Sequence, residues 1–328
     1  MKIEEILFVI FSYNRGKYLK NCVDSIFENC PGIKNENIMI YDDHSDDPKT
    51  VDILDALQQK IKVNINKGKN PAISRRGLYH NMNRALQDAI KGRFNYIFFI
   101  QEDLQFVREL DSRFLSECQK ILESDPNIIQ IQPLFFKGTI KEKEYSQFLK
   151  MNEEFQYYYG NPHQLYGIAD IGLTKVEPLR VDNWQFDHEE TINMKKGTQK
   201  GWLYVKPKNP IMMYLPWPET YRYKKTGKDH LFTRLLDCYY KTGFYPYKKM
   251  TDDVVQVLLD RPIQDYPYGE RFLKLKLNVK LREPWNYVSA KFYFLKRFFK
   301  VIKKVHLFWI IEVYYKAKFK SQVKRKTL

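Results

Sequence analysis

In this chain of 328 residues, the apolar run Tyr96-Ile97-Phe98-Phe99-Ile100 stops at Gln101 and two adjacent carboxylates, Glu102 and Asp103. Paired acids at the end of such a run can hold a divalent cation against phosphate oxygens. Taken alone, the pair is equally compatible with an acidic surface turn. Two earlier clusters change the weighing: Ser12-Tyr13-Asn14-Arg15 and Asp42-Asp43 each follow an apolar run of their own. Ser12 and Asn14 also stand where a helix is expected to begin, so backbone N–H groups there can approach a phosphate or a sugar hydroxyl. Three polar strand ends in successive strand-helix units, with no glycine-rich phosphate loop among them, point to a nucleotide held by side chains and metal.

The elements that must position these groups alternate in type over the first 133 residues, which predicts a mostly parallel sheet with helices on both faces. Strands are expected at Ile6 to Phe11, Ile38 to Tyr41, Lys62 to Ile65, Tyr96 to Ile100 and Ile128 to Gln132. The run Tyr96 to Ile100 has no polar alternation, as in a strand covered on both faces. Ligand groups then fall at the carboxyl edge of the sheet. Between the strands, Leu19, Cys22, Val23, Ile26 and Phe27 recur at the spacing of one buried helix face. Val51, Leu54 and Leu57 mark a second helix, Leu78, Met82, Ala85, Leu86 and Ala89 a third, and a fourth is expected near residues 111 to 123. From about 135 to 180 the pattern loosens into an aromatic, charged stretch suited to an insertion over a cleft. Short strands are expected at Leu203 to Val205 and Ile211 to Leu215, and a helix at Leu231 to Tyr240. The character changes after Pro262 and Pro267. The chain therefore divides into a domain over 1–265, with halves 1–133 and 134–265, and a tail over 266–328.

Charge is distributed unevenly. The net charge is +16, yet twelve Lys or Arg and one acid, Glu312, fall between Lys291 and Leu328. A weakly basic body with one cationic tail argues against a nucleic-acid-binding protein. Within residues 291–315, aromatic and aliphatic side chains interleave with Lys296, Arg297, Lys300, Lys303 and Lys304. As a helix this segment has one apolar and one cationic side, suited to lying in an anionic membrane interface, although a terminal helix packed on the domain has the same pattern. Cys22, Cys30, Cys118 and Cys238 lack metal-ligand spacing and read as reduced thiols. With no long apolar segment either, the expected location is cytoplasmic, peripheral on the membrane's cytoplasmic face.

Together, the stretches Val9 to Arg15, Tyr41 to Asp47, Asn66 through Gly77 and Tyr96 to Asp103 resemble family 2 glycosyltransferases, in that family's order and separations. The likeness covers roughly residues 5 to 133. It implies a GT-A fold and transfer of a sugar from a nucleoside diphosphate, with a UDP-sugar favoured, to a hydroxyl of a glycan or lipid-linked acceptor. A fifth stretch extends it: Glu189-Glu190, then Lys196, then Gly201 to Val205, matches the family's acid pair, basic residue, glycine and short strand. With Gly201 as the anchor, Glu190 falls on the family's general-base position; Glu189 is the second choice and Asp187 the third. The resemblance further implies Mg²⁺ or Mn²⁺ on Asp103 with Glu102 beside it. Asp42 or Asp43 is expected on the base or ribose, with Tyr13 stacking nearby and Arg75 or Arg76 as nucleotide contacts.

Departures from the family pattern matter as much. The first acid of the expected Asp-x-Asp is Gln101, and His44 stands where a glycine is usual. No Gln-x-x-Arg-Trp motif occurs, which speaks against a processive synthase; the resemblance implies an inverting, non-processive enzyme of surface polysaccharide or glycoconjugate synthesis. Two other readings remain: a donor-binding but catalytically degenerate homologue, prompted by Gln101, and a sugar nucleotidyltransferase, which should carry a glycine-rich pyrophosphate loop that Ser12 to Gly16 does not provide.

Overall fold

A computed structural model describes residues 1–66, 77–136, 149–160, 167–218, 241–283 and 285. Arg75 and Arg76, the helix expected at 231–240 with Cys238, and the tail 291–328 lie outside the described residues. The expected early strands form: β1 (Ile6–Ser12), β2 (Ile38–Asp42), β3 (Lys62–Ile65), β4 (Tyr96–Gln101) and β6 (Ile128–Ile131). So do the helices α1 (Gly16–Asn29), α2 (Pro48–Gln58), α3 (Gly77–Lys91) and α4 (Ser112–Ser124). A short β5 (Leu104–Phe106) follows β4.

Every residue of β1 is buried, because both faces of the sheet are covered. Ile6, Phe8 and Ile10 pack with Leu19, Cys22, Val23 and Ile26 of α1 and with α4. Leu7, Val9 and Phe11 face Met82, Ala85, Leu86 and Ala89 of α3. An apolar run without alternation is what such a double-sided environment requires. Two residues expected on buried helix faces are turned outward: Phe27 is 41% exposed and Val51 37%. Phe27 follows the buried Ile26, and one step along a helix swings a side chain about 100°. α2 buries only Thr50 and Leu54.

The remaining strands are β7 (Leu149–Asn152), β8 (Tyr157–Gly160), β9 (Gly172–Lys175), β10 (Leu203–Pro207) and β11 (Met212–Tyr214). The nine-stranded sheet runs β3-β2-β1-β4-β9-β6-β10-β8-β7, and β11 pairs with β5 in a separate ribbon. The strands β3, β2, β1 and β4 are parallel, whereas β9 lies antiparallel between β4 and β6. Sequence periodicity gave no sign of β9, which is four residues long and begins with glycine.

Register decides the site. Ser12 pairs with Asp42, and Phe11 with Gln101, so the polar ends of β1, β2 and β4 reach one level at the carboxyl edge. Beyond the sheet, Trp217, Tyr247, Phe272, Leu273, Leu281 and Trp285 are buried around Tyr18 of α1. Packing thus continues to residue 285, past the change of character after Pro267. Among the described residues no helix is long and apolar enough to cross a membrane.

Candidate active site

Asn14 and Asp42 build the rim of the first two strand ends from within. Asn14 takes φ +50°, a conformation asparagine tolerates better than most residues. Its N–H donates to Ser45 Oγ at 2.8 Å, and its side-chain carbonyl accepts from the N–H groups of Asp46 and Asp47 at 2.9 and 3.0 Å. Asp42, fully buried, accepts from the N–H and hydroxyl of Ser45 at 2.7 and 2.6 Å. Burial pushes its carboxyl up from the ordinary value while the Ser45 hydrogen bonds pull it back. Both side chains spend these hydrogen bonds holding the 43–47 loop. His44, where a glycine is usual, takes φ +60°. The turn is therefore made without glycine, at a strain of about 1–2 kcal/mol.

Asp43 and Tyr13 border that loop. A Cβ on Gly77 would fall 2.0 Å from the Asp43 carboxylate, so only glycine lets this acid lie against the start of α3, where the helix dipole favours negative charge. The Tyr13 phenol is pushed up to about 12 by burial and by the charges of Asp46 and Asp43. Ser12 itself is buried, with its carbonyl accepting from Asp43 N–H at 2.9 Å.

The acid corner sits where β4 turns into β5. Arg15, the residue before α1, places its guanidinium 3.0 Å from Asp103 Oδ2 and 3.6 Å from Glu102 Oε1. Burial opposes its charge, but the two acids outweigh that and hold it above the ordinary arginine value. Asp103 Oδ1 is buried and has no hydrogen-bond partner among the described residues, a costly arrangement for a carboxylate oxygen unless a cation or donor completes it. Glu102 is pushed up to about 7, chiefly by burial, with Arg15 lowering it and Asp103 raising it. Its unfolded-state value is about 4.3, so between the two values the folded chain keeps a proton that the unfolded chain releases. Stability from this group thus falls as pH rises from about 4.3 to about 7. Urea unfolding of wild type and Glu102→Gln at pH 5 and pH 8 is expected to show the balance moving toward the variant at pH 8. A pH-independent difference would remove this account.

A divalent cation is tested by the same atoms. Among the described residues no group of three acidic, His or Cys side chains is disposed to enclose one. Mg²⁺ and Mn²⁺ sites that serve phosphates commonly use only one or two protein carboxylates, with water and the substrate completing the shell. The orphaned Asp103 Oδ1, with Glu102 next to it, fits that kind of site.

The acid pair ahead of Gly201 lies at the start of α6 (Glu190–Gln199), the helix that follows the short α5 (Val176–Val181). Asn83 of α3 holds the backbone of Phe186 by both its amide edges, at 3.0 and 2.8 Å. Asn193 does the same for Asp187 and also donates to the Glu189 carbonyl. The three candidate acids then differ. Asp187 is ion-paired to Lys196 at 2.7 Å, and Glu189 lies 3.9 Å from His188. Glu190 is exposed, and its carboxylate makes no ion pair among the described residues.

Two residues that the sequence did not flag join these parts. Asp170 accepts a hydrogen bond from Gln101 Nε2 at 2.9 Å. Tyr214, at the end of β11, has its phenol held well above the ordinary range by burial and then by the charges of Asp170, Asp103, Glu190 and Glu102. Tyr214 itself is half-buried, and these charges belong to both the β4 corner and the start of α6. Neither residue sits in a recognisable motif; only the register of β9 and the β5–β11 ribbon bring them here.

The profile of glycosyl transferase family 2 matches residues 7–180. No curated protein sequence matches the chain. Among solved structures, S. aureus TarS residues 1–349 is 13% identical, covering 64% of this chain and 60% of that one at a TM-score of 0.43. The mannosyltransferase PcManGT of Pyrobaculum calidifontis, solved with GDP-Man and Mn²⁺, is 13% identical over 64% of this chain and 56% of its own, at 0.41. GalNAc-T7, solved with UDP, GalNAc and Mn²⁺, is 14% identical over 64% and 43%, at 0.44. The present chain thus spans about 60% or less of the length of these structures.

Proposed function

The chain belongs to glycosyl transferase family 2, and from that premise we propose that it moves a sugar from a nucleoside diphosphate to an acceptor hydroxyl with inversion at the anomeric carbon. The observation that supports this reading most is the register that brings the ends of β1, β2 and β4 to one level at the carboxyl edge, with Arg15 set against Glu102 and Asp103. A transferase needs both ends in one cleft: a charged corner for the diphosphate and a base for the incoming hydroxyl.

Each residue then has a task. Tyr13 and Asp43 flank the nucleoside, on a loop held rigid by Asn14 and Asp42. Arg15 keeps a fixed positive charge at the acid corner. Asp103, with Glu102, would hold Mg²⁺ or Mn²⁺, which when bound neutralises charge on the diphosphate leaving group. Glu190 removes the acceptor proton; of the three candidates it is the one whose carboxylate makes no ion pair among the described residues. The donor is a nucleoside-diphosphate sugar, with UDP the first nucleotide to try, and the acceptor a glycan or lipid-linked hydroxyl of a surface polysaccharide or glycoconjugate. A panel of nucleotide sugars, scored by thermal shift and by donor hydrolysis with and without Mn²⁺, tests the reading. Failure of every donor to bind or turn over would overturn it.

The Arg15 contacts and Gln101 favour one second reading, a homologue that binds donor but does not transfer, since the acids are already partly neutralised and the first one is an amide. Thermal shift without hydrolysis or transfer would select it.

We also propose that residues 291–328 hold the protein peripherally on the cytoplasmic face of an anionic membrane, where a lipid-linked acceptor would reside. Their charge and interleaved aromatics support this. In flotation with vesicles containing phosphatidylglycerol, the full chain is expected to float and a chain ending at residue 290 to stay at the bottom. Equal behaviour of the two would refute a membrane role for the tail.

A further inference from the structure

Residues 271–282, Arg-Phe-Leu-Lys-Leu-Lys-Leu-Asn-Val-Lys-Leu-Arg, alternate basic and apolar side chains and contain no acid. Alternation of this kind ordinarily marks a strand with one buried face, but here the strand-like pairing is an antiparallel bridge between Tyr247 and Leu275. The base of the segment is fastened to the body: Lys248 N–H donates to the Lys274 carbonyl at 2.8 Å, and Lys276 N–H to the Pro246 carbonyl at 2.7 Å. At the far end Leu281 is buried in the cluster around Tyr18, and the Arg282 carbonyl accepts from Trp217 Nε1 at 2.9 Å. Between these anchors residues 276–280 are all exposed. Val279 N–H donates to the Leu277 carbonyl at 2.9 Å, a three-residue turn centred on Asn278. Leu277 is left 50% exposed and Val279 43%, with Lys276 and Lys280 on either side of them.

We propose that this loop is a second membrane contact, in which Leu277 and Val279 enter the headgroup region of an anionic bilayer while Lys276 and Lys280 meet its phosphates. It rests on the peripheral membrane reading given above for residues 291–328, and deepens it. Single exposed apolar residues are ordinary on a protein surface. Two at one turn, bracketed by lysines, combine the apolar burial and the electrostatic attraction that interfacial binding needs. Lys274 and Arg271 contribute less, because Asp253 and Asp265 stand near them. Charge also decides between occupants. Residues 291–328 carry twelve Lys or Arg against one acid, so that segment folding back on the loop would set like charges together, as would a second copy of the loop. An anionic surface does the opposite. The loop is also tied to the site: Leu281 shares its cluster with Tyr18 of α1, and Arg15, immediately before that helix, holds the acid corner. Contacts on both body and tail would fix the cleft's orientation toward a lipid-linked acceptor, whereas the tail alone would leave it free to turn.

Partitioning of the full chain onto vesicles of phosphatidylglycerol mixed with phosphatidylcholine tests the loop with the tail in place. Leu277→Ser/Val279→Ser is expected to lower the partition coefficient about tenfold, the worth of about one buried aliphatic side chain. Lys276→Gln/Lys280→Gln should lower it about as much at low ionic strength, and the difference from wild type should shrink as salt screens the lysines. The loop alone is too weak to float a chain ending at residue 290, since stable anchoring takes two signals. All four positions are exposed, so melting temperatures without vesicles should match wild type. A Leu277→Ser/Val279→Ser chain that partitions like wild type would overturn the proposal and leave the tail's role intact. So would dimerisation of lipid-free wild type, seen by analytical ultracentrifugation and abolished by the same substitutions, since the loop would then be an interface between copies. Failure of the wild-type chain itself to float would instead remove the membrane reading, and the loop's role with it.

Discussion

Replacing Glu190 by glutamine is expected to lower the rate of sugar transfer by about 10²- to 10⁴-fold, the usual worth of general-base assistance, while donor affinity stays within about twofold. In free energy that is a barrier increase of about 3–5 kcal/mol. The separation is expected because Glu190 sits at the first position of α6, exposed, with its carboxylate in no ion pair among the described residues. The amide keeps the shape but cannot take a proton from the acceptor. Stability should change by less than about 0.5 kcal/mol, as for an exposed site away from packing. Glu189→Gln is the built-in control: its carboxylate lies beside His188, so transfer should fall little. Steady-state kinetics with saturating donor and varied acceptor would check this. A slow Glu189→Gln beside a near-normal Glu190→Gln would move the base by one residue. Asp187→Asn is expected to behave differently again, since it breaks the ion pair with Lys196 that ties the loop to α6, and its effect should appear in thermal stability as well as rate.

How much of this was legible without coordinates differs from one part to the next. The parallel half was, because β1, β2 and β4 are covered on both faces and so are written as unbroken apolar runs, each ending in the polar residues that the register then aligns. Local chemistry at those ends was not. Ser12, Asn14 and Asp42 are expected to face a ligand, and spacing alone gives no sign that Asn14 and Asp42 also hydrogen-bond the 45–47 loop. The crossing strand β9 escaped notice for a different reason. It is four residues long, and its position depends on Gly172 fitting against the Ile131 carbonyl and on Gln130 reaching Ala169. Those are contacts between distant segments, and with β9 unseen, Asp170 could not be placed opposite Gln101.

For Asp103→Asn the expected loss falls on metal use. Wild-type donor affinity and turnover should rise with added Mn²⁺, and the variant's should not. Lewis-acid stabilisation of the leaving group is worth several kcal/mol, so a hundredfold or greater fall in metal-stimulated turnover is expected. The physical basis is the division of labour between the two oxygens of this side chain. Oδ2 is committed to Arg15 at 3.0 Å, while Oδ1 is buried without a partner among the described residues. An asparagine presents at most one carbonyl oxygen and no net charge, so it either keeps the Arg15 contact or faces the cation. Arg15 should remain in place through Glu102, which lies 3.6 Å away, so the variant is expected to fold. With the Asp103 charge gone, one of the influences that raise the Glu102 carboxyl disappears as well, and the pH dependence of stability should shift downward in parallel. Manganese titration followed by thermal shift, in the presence of the nucleotide that wild type binds, reads the effect without turnover. If Asp103→Asn retains wild-type metal dependence in both measurements, the cation does not sit on Asp103, and Arg15 alone supplies the positive charge at this corner.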